Sequence, residues 1–139
     1  MAAYRHEYKH EINTSDFITL SMRLNAALKA DEFARADGAY EITSLYFDDV
    51  YDTALKEKLN GVSCRDKFRL RRYNNDTEHI KLEKKSKRGG LCLKECAAIT
   101  AAQAQSIIGG DIGFLAAQGG VMAELYSAVL VSYNGEYMG

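Results

Sequence analysis

Three closely spaced runs decide the fold: RDKFRLRRY at residues 65–73, HIKLEKKSK at residues 79–87 and LCLKEC at residues 91–96. Each alternates with a period of two, so successive side chains point to opposite faces, as in a β-strand. In the first run Lys67, Arg69 and Arg71 share one face, with Phe68 and Leu70 on the other. In the second, Lys81, Glu83, Lys85 and Lys87 lie opposite Ile80 and Leu82. In the third, Lys94 lies opposite Leu93. Asn74-Asn75-Asp76 and Arg88-Gly89-Gly90 supply turn residues between the runs. The pattern predicts a three-stranded antiparallel meander with one charged face and one apolar face.

The same block explains the composition. The chain has 139 residues, 47% of them apolar, enough for one domain with its own core. Its 18 Lys+Arg and 19 Asp+Glu give a net charge of −1, which argues against a generally basic nucleic-acid binder. Yet residues 65–96 carry eleven Lys/Arg against five Asp/Glu, net +6, so the remainder is net −7. There is no proline, which excludes collagen-like and Pro-rich linker sequences. Cys64, Cys92 and Cys96 fit neither a zinc pair nor a disulfide framework and read as idle thiols. With no secretory signal and no long apolar run, a cytoplasmic, reducing location without a membrane segment is the expectation.

Outward from the meander, residues 4–12 alternate as a first strand, with Arg5, Glu7 and Lys9 on one face. Thr14 is expected to cap a helix bearing Phe17, Leu20, Leu24 and Leu28 and ending near Lys29–Asp31. Residues 40–48 read as a second strand. A short helix over 52–59 stops at Asn60-Gly61, with Asp48 and Asp49 as capping residues. Thr100 and Gln103 form a capping box for a further helix that ends at Gly109-Gly110. Residues 112–127 read as helical, interrupted at Gln118-Gly119-Gly120, and Val129–Met138 as a sixth strand. His6, His10 and His79 read as surface or partly buried residues.

Rows of like charge on adjacent strands destabilise a sheet unless something compensates them. A polyanion does so naturally, because Arg forks bind phosphate bidentately and Lys acts as a point charge. Glu7 and Glu83 within those rows would repel bare phosphate, which suggests a bridging Mn²⁺ or Mg²⁺.

Six segments, in order, carry a resemblance: Arg5-His-Glu-Tyr-Lys9, Ser44-Leu-Tyr-Phe-Asp48, Glu57-Lys-Leu-Asn-Gly61, Lys67-Phe-Arg-Leu-Arg-Arg-Tyr73, Leu82-Glu-Lys-Lys85 and Lys94. Together the chain resembles VTC domains, the polyphosphate polymerase domains of the triphosphate tunnel metalloenzymes, which also include CYTH proteins. The resemblance implies an α+β fold around an antiparallel β-tunnel of about eight strands. Six are expected here, with flanking helices, in a single shortened domain over 1–139. It implies catalytic roles for Lys9, Arg69, Arg71 and Lys85, and substrate contacts for Arg5, Lys67, Lys87 and Lys94. Glu7 and Glu83 would hold the metal. The implied reaction passes the terminal phosphoryl of ATP to a polyphosphate chain, which requires positioning and charge neutralisation but no Walker-type loop. Where the family's last strand carries an Arg, this chain has Gly135, and the family continues with further strands beyond Gly139. A non-catalytic triphosphate or polyphosphate binder, or a second copy completing the tunnel, therefore stands beside the enzyme reading. A nonspecific nucleic-acid patch over 65–96 is the third reading.

Overall fold

The computed structural model describes residues 2–137 except 33 and 50, with side chains described through Val129. Five antiparallel strands form one sheet: β1 (Arg5–His6), β2 (Ile42–Tyr46), β3 (Cys64–Tyr73), β4 (Ile80–Arg88) and β5 (Leu91–Ile99), in the order β1-β5-β4-β3-β2. Among the described residues the α-helices are α1 (Thr14–Ala27), α2 (Thr53–Leu59), α3 (Ala101–Ile108) and α4 (Gly120–Tyr137). A 3₁₀ turn lies at Gly113–Ala117. No helix of the described residues is long and apolar enough to cross a membrane.

The meander forms as its alternation requires. Between β4 and β5 Arg88 pairs with Leu91, leaving a two-residue turn in which Gly89 takes φ +61°, a conformation that glycine adopts without strain. Between β3 and β4, Asn74 and Asn75 take the left-handed conformation that Asn tolerates best among residues with a Cβ. The apolar face of the meander receives α3, the 3₁₀ turn and α4. Leu70, Leu82 and Ile99 of the sheet pack with Ala104, Ile107, Leu115, Val121, Met122 and Leu125 in one core. All of these are at most 7% exposed.

Four expectations are corrected. The first strand shrinks from 4–12 to Arg5–His6, because only these residues find ladder partners, Cys92 and Leu91. Asn13, not Thr14, caps α1: its side chain accepts from the Asp16 amide at 2.8 Å while Asp16 reaches back to the Asn13 amide. The sixth strand is absent. Residues 129–137 continue α4, so the segment containing Gly135 is helical, and Met138 lies outside the described residues. β1 and β2 form the two edges of the sheet, which does not close into a six-stranded tunnel. The α+β class stands; the barrel does not.

Candidate functional site

Register places the charged residues in rows across the face opposite the core. Lys67 pairs with Lys85, Arg69 with Glu83 and Arg71 with Lys81; on the other side Lys85 pairs with Lys94 and Lys87 with Cys92. Ser44 and Tyr46 of β2 stand beside Arg71 and Arg69. Arg72 falls on the helix face, as the alternation requires.

Two carboxylates organise these cations into separate clusters. Glu83 is 1% exposed on this face. Its Oε2 accepts from Arg69 Nε at 2.6 Å and lies 4.0 Å from Arg71 Nε, and its Oε1 is 2.9 Å from Lys94 Nζ. Burial pushes the Glu83 carboxyl up, but the hydrogen bonds and charges of Lys94 and Arg69 outweigh it and hold the group below its ordinary value. The arginines also reach β2: a second guanidinium nitrogen of Arg69 and the Nε of Arg71 each find a partner there. Arg69 donates to the Tyr46 hydroxyl at 3.0 Å, and Arg71 donates to Ser44 Oγ at 3.1 Å. The Arg69 hydrogen bond draws the Tyr46 phenol below its ordinary value, with the charges of Arg69, Lys67 and Arg71 adding to it.

The second cluster centres on Glu7. Its Oε2 accepts from Lys85 Nζ at 2.6 Å, and its Oε1 lies 3.5 Å from Lys9 Nζ. The hydrogen bond from Lys85 is the chief reason that the Glu7 carboxyl sits below its ordinary value. Around it lies a cavity of about 280 Å³ lined by Glu7, Lys9, Arg65, Lys67, Lys85 and Lys87. Five cations thus face one carboxylate, and no carboxylate lies within ion-pair distance of Lys67 or Lys87 among the described residues. Burial is the chief reason that the Lys67 ammonium lies below its ordinary value; Tyr46 pulls the other way, and the charges of Lys85, Lys58 and Arg69 add to the lowering. Such a cavity attracts an anion, because each negative oxygen relieves repulsion already present.

The structure therefore divides the residues singled out in the sequence. Arg69, Arg71, Lys94 and Glu83 come together. Lys9, Lys67, Lys85 and Lys87 gather around Glu7. Arg5 pairs in the ladder with Cys92 but reaches neither cluster. Tyr46, Ser44 and Arg65 also belong to the face, although the sequence pattern assigns none of them a site role. The alternation of ITSLY, residues 42–46, was the available signal for the first two. Asp48 and Asp49 cap α2: Asp48 accepts from the amides of Ala54 and Leu55, and Asp49 from that of Thr53.

The donor set does not fit a resident metal ion. A hard divalent cation needs several free oxygen ligands. Glu83 instead has both oxygens on cations, Glu7 is bound by Lys85 and Lys9, and no group of three His, Cys, Asp or Glu side chains that could hold a metal occurs among the described residues.

Comparison with known proteins adds one finding. The family model of the VTC domain matches residues 4–133, which takes in both clusters and the core. No curated protein and no solved structure matches the chain.

Proposed function

Because the chain belongs to the VTC domain family, which is related to polyphosphate polymerases, we propose that its charged sheet face binds the phosphates of a triphosphate or a polyphosphate chain. The observation that carries the reading is the cavity around Glu7, where Lys9, Arg65, Lys67, Lys85 and Lys87 converge on a single carboxylate.

In the catalytic form of this reading ATP is the donor. A terminal oxygen of the polyphosphate chain attacks the γ-phosphorus, the bond from that phosphorus to the bridging oxygen breaks, and ADP leaves. This transfer needs little covalent help from a protein; it needs the phosphates aligned and their charge offset. Lys67 and Lys87 contribute charge that no carboxylate offsets. Lys85 and Lys9 exchange Glu7 for phosphate oxygens. Arg69 and Arg71, held by Glu83, Tyr46 and Ser44, present a rigid second contact along the face.

Calorimetry with tripolyphosphate at moderate salt tests the binding, with saturable binding expected; its absence would reject the reading. Incubation with ATP and Mn²⁺ tests transfer through the appearance of polyphosphate and ADP. The sheet that ends at β1 and β2 favours a second form of the reading, a polyphosphate-binding module without transfer. Binding without product would select it.

A further inference from the structure

Tyr46 is an aromatic ring set among the cations of the charged face. It lies on β2 opposite Arg69 in the ladder, so its side chain rises on the same side of the sheet as Glu83. Arg69 donates to its hydroxyl at 3.0 Å. The Arg69 guanidinium carbon lies 5.8 Å from the ring centroid and Lys67 Nζ lies 5.5 Å from it. Both cations belong to β3. β2 is an edge of the sheet with no strand beyond it, and Tyr46 is 50% exposed. The ring is thus fixed at its hydroxyl end, polarised from the β3 side and open to solvent elsewhere.

An exposed tyrosine is commonplace; this one is distinguished by Lys67, which both lines the Glu7 cavity and stands over the ring. A phosphate chain held in the cavity therefore comes within one side chain of Tyr46. A bare polyphosphate has nothing to lay on an aromatic surface. A nucleotide has its base, joined to the phosphates through a single ribose. Bases stack on aromatic side chains, and a neighbouring Arg adds a cation–π contribution. Arg69 already holds the ring, so little side-chain freedom is lost on stacking. Glu83, which would repel phosphate, is shared among Arg69, Arg71 and Lys94, and Arg69 is bonded both to it and to Tyr46. Tyr8 is the competing ring, 78% exposed between the cavity residues Glu7 and Lys9. It stacks on His6, however, and His6 pairs with Leu91, one position off the charged row that Cys92 shares with Lys87. That stack turns Tyr8 toward the helix side of the sheet.

We propose that Tyr46 stacks the nucleobase of a nucleoside triphosphate whose phosphates enter the cavity around Glu7. The inference rests on the phosphate-binding reading and adds to it where the other end of the donor lies. The stack accepts bases without choosing among them. The hydroxyls of Tyr46 and Ser44 each already accept a hydrogen bond from an arginine, which leaves no matched donor and acceptor to read a base edge. Stacking alone tolerates every base, because each has a π-face.

Calorimetry with ATP and, separately, with tripolyphosphate tests the stack through the ratio of the two affinities. Tyr46→Leu removes the ring and should weaken ATP roughly 5- to 100-fold more than it weakens tripolyphosphate. Tyr46→Phe keeps the ring and loses the Arg69 contact, so the ratio should stay that of the natural chain. Ribose 5-triphosphate, which lacks the base, should bind the natural chain more weakly than ATP by the same roughly 5- to 100-fold, whether or not Tyr46→Leu folds. GTP and UTP should fall within about tenfold of ATP. Equal losses of ATP and tripolyphosphate in Tyr46→Leu would overturn the inference, since Tyr46 would then act only by holding Arg69. So would a ratio that falls as far in Tyr46→Phe, or ribose 5-triphosphate binding as tightly as ATP. Tripolyphosphate binding without ATP binding would also overturn it. Each of these results leaves the phosphate-binding reading standing, whereas a natural chain that binds neither ligand rejects both.

Discussion

Arg69 Nε stands 2.6 Å from Glu83 Oε2 directly across the β3–β4 ladder, and this pair is the pivot of the charged face. Glu83 is almost fully enclosed and also receives Lys94, so one carboxylate on β4 offsets the cations of both neighbouring strands. Removing one partner of a buried pair leaves the others uncompensated. Glu83→Ala is expected to destabilise the fold by about 3–5 kcal/mol, measured by urea unfolding. A loss within experimental error would show the cluster to be solvated.

Acid should reproduce part of that loss. The carboxyls of Glu83 and Glu7 both lie below their ordinary value of 4.5. Their stabilisation is therefore fully present above about pH 4.5 and is lost as pH falls through the lower folded values. Melting temperature followed downward from neutral pH should stay level and then drop below that point, and Glu83→Gln should flatten the drop. A decline centred near pH 6.5 would instead implicate a histidine.

Lys67 should separate binding from stability. It has no carboxylate at ion-pair distance among the described residues and faces Lys85 across the ladder. Lys67→Gln is expected to leave stability unchanged or slightly raised while weakening tripolyphosphate about tenfold. Arg72→Ala, on the other face, should leave affinity unchanged. Calorimetry on the two variants checks the assignment of faces, and equal losses would show it to be wrong.

The helix face has its own half-buried cation. Lys84 Nζ donates to Glu124 of α4 and lies 4.0 Å from Glu95, tying α4 to the sheet. Burial disfavours the Lys84 ammonium, but Glu124 and Asp66 more than offset that and raise its pKa. Glu124→Ala is expected to lower stability by about 1 kcal/mol, because the half-buried lysine keeps only the more distant charges of Glu95 and Asp66. Lys84→Met, which removes the charge and keeps the length, should be close to neutral or stabilising. Thermal unfolding of both variants tests the asymmetry.

What could be read in the sequence follows from how local each signal was. β3, β4 and β5 declare themselves because charged and apolar residues alternate without interruption through Lys67–Arg71 and Ile80–Lys87. The capping box of Thr100 and Gln103 is likewise local and is present in the structure. The first strand was overread because alternation at Glu7 and Lys9 says nothing of whether a neighbouring strand extends far enough to pair; β5 starts at Leu91, opposite His6. Thr14 was a plausible cap, but Asn13 is as good a capping residue and sits one position earlier, where the helix begins. The segment after Val129 is rich in β-formers, yet it follows directly from a helix, and propensity yields to that continuity. The pairing of each glutamate with its cations was not readable, since Glu7 meets Lys85 across 78 positions of sequence.

The carboxylates embedded in the cationic rows also set a valence threshold. Glu7 and Glu83 are tethered ligands for Lys85, Lys94 and Arg69, present at a high effective concentration that an incoming anion must outcompete. A single orthophosphate exchanges one ion pair for another and gains little. A chain of linked phosphates that first engages Lys67 and Lys87, where nothing need be displaced, makes each later exchange intramolecular in its turn. On the proposed reading, the face would therefore discriminate against single orthophosphate and respond to the length of a polyphosphate chain.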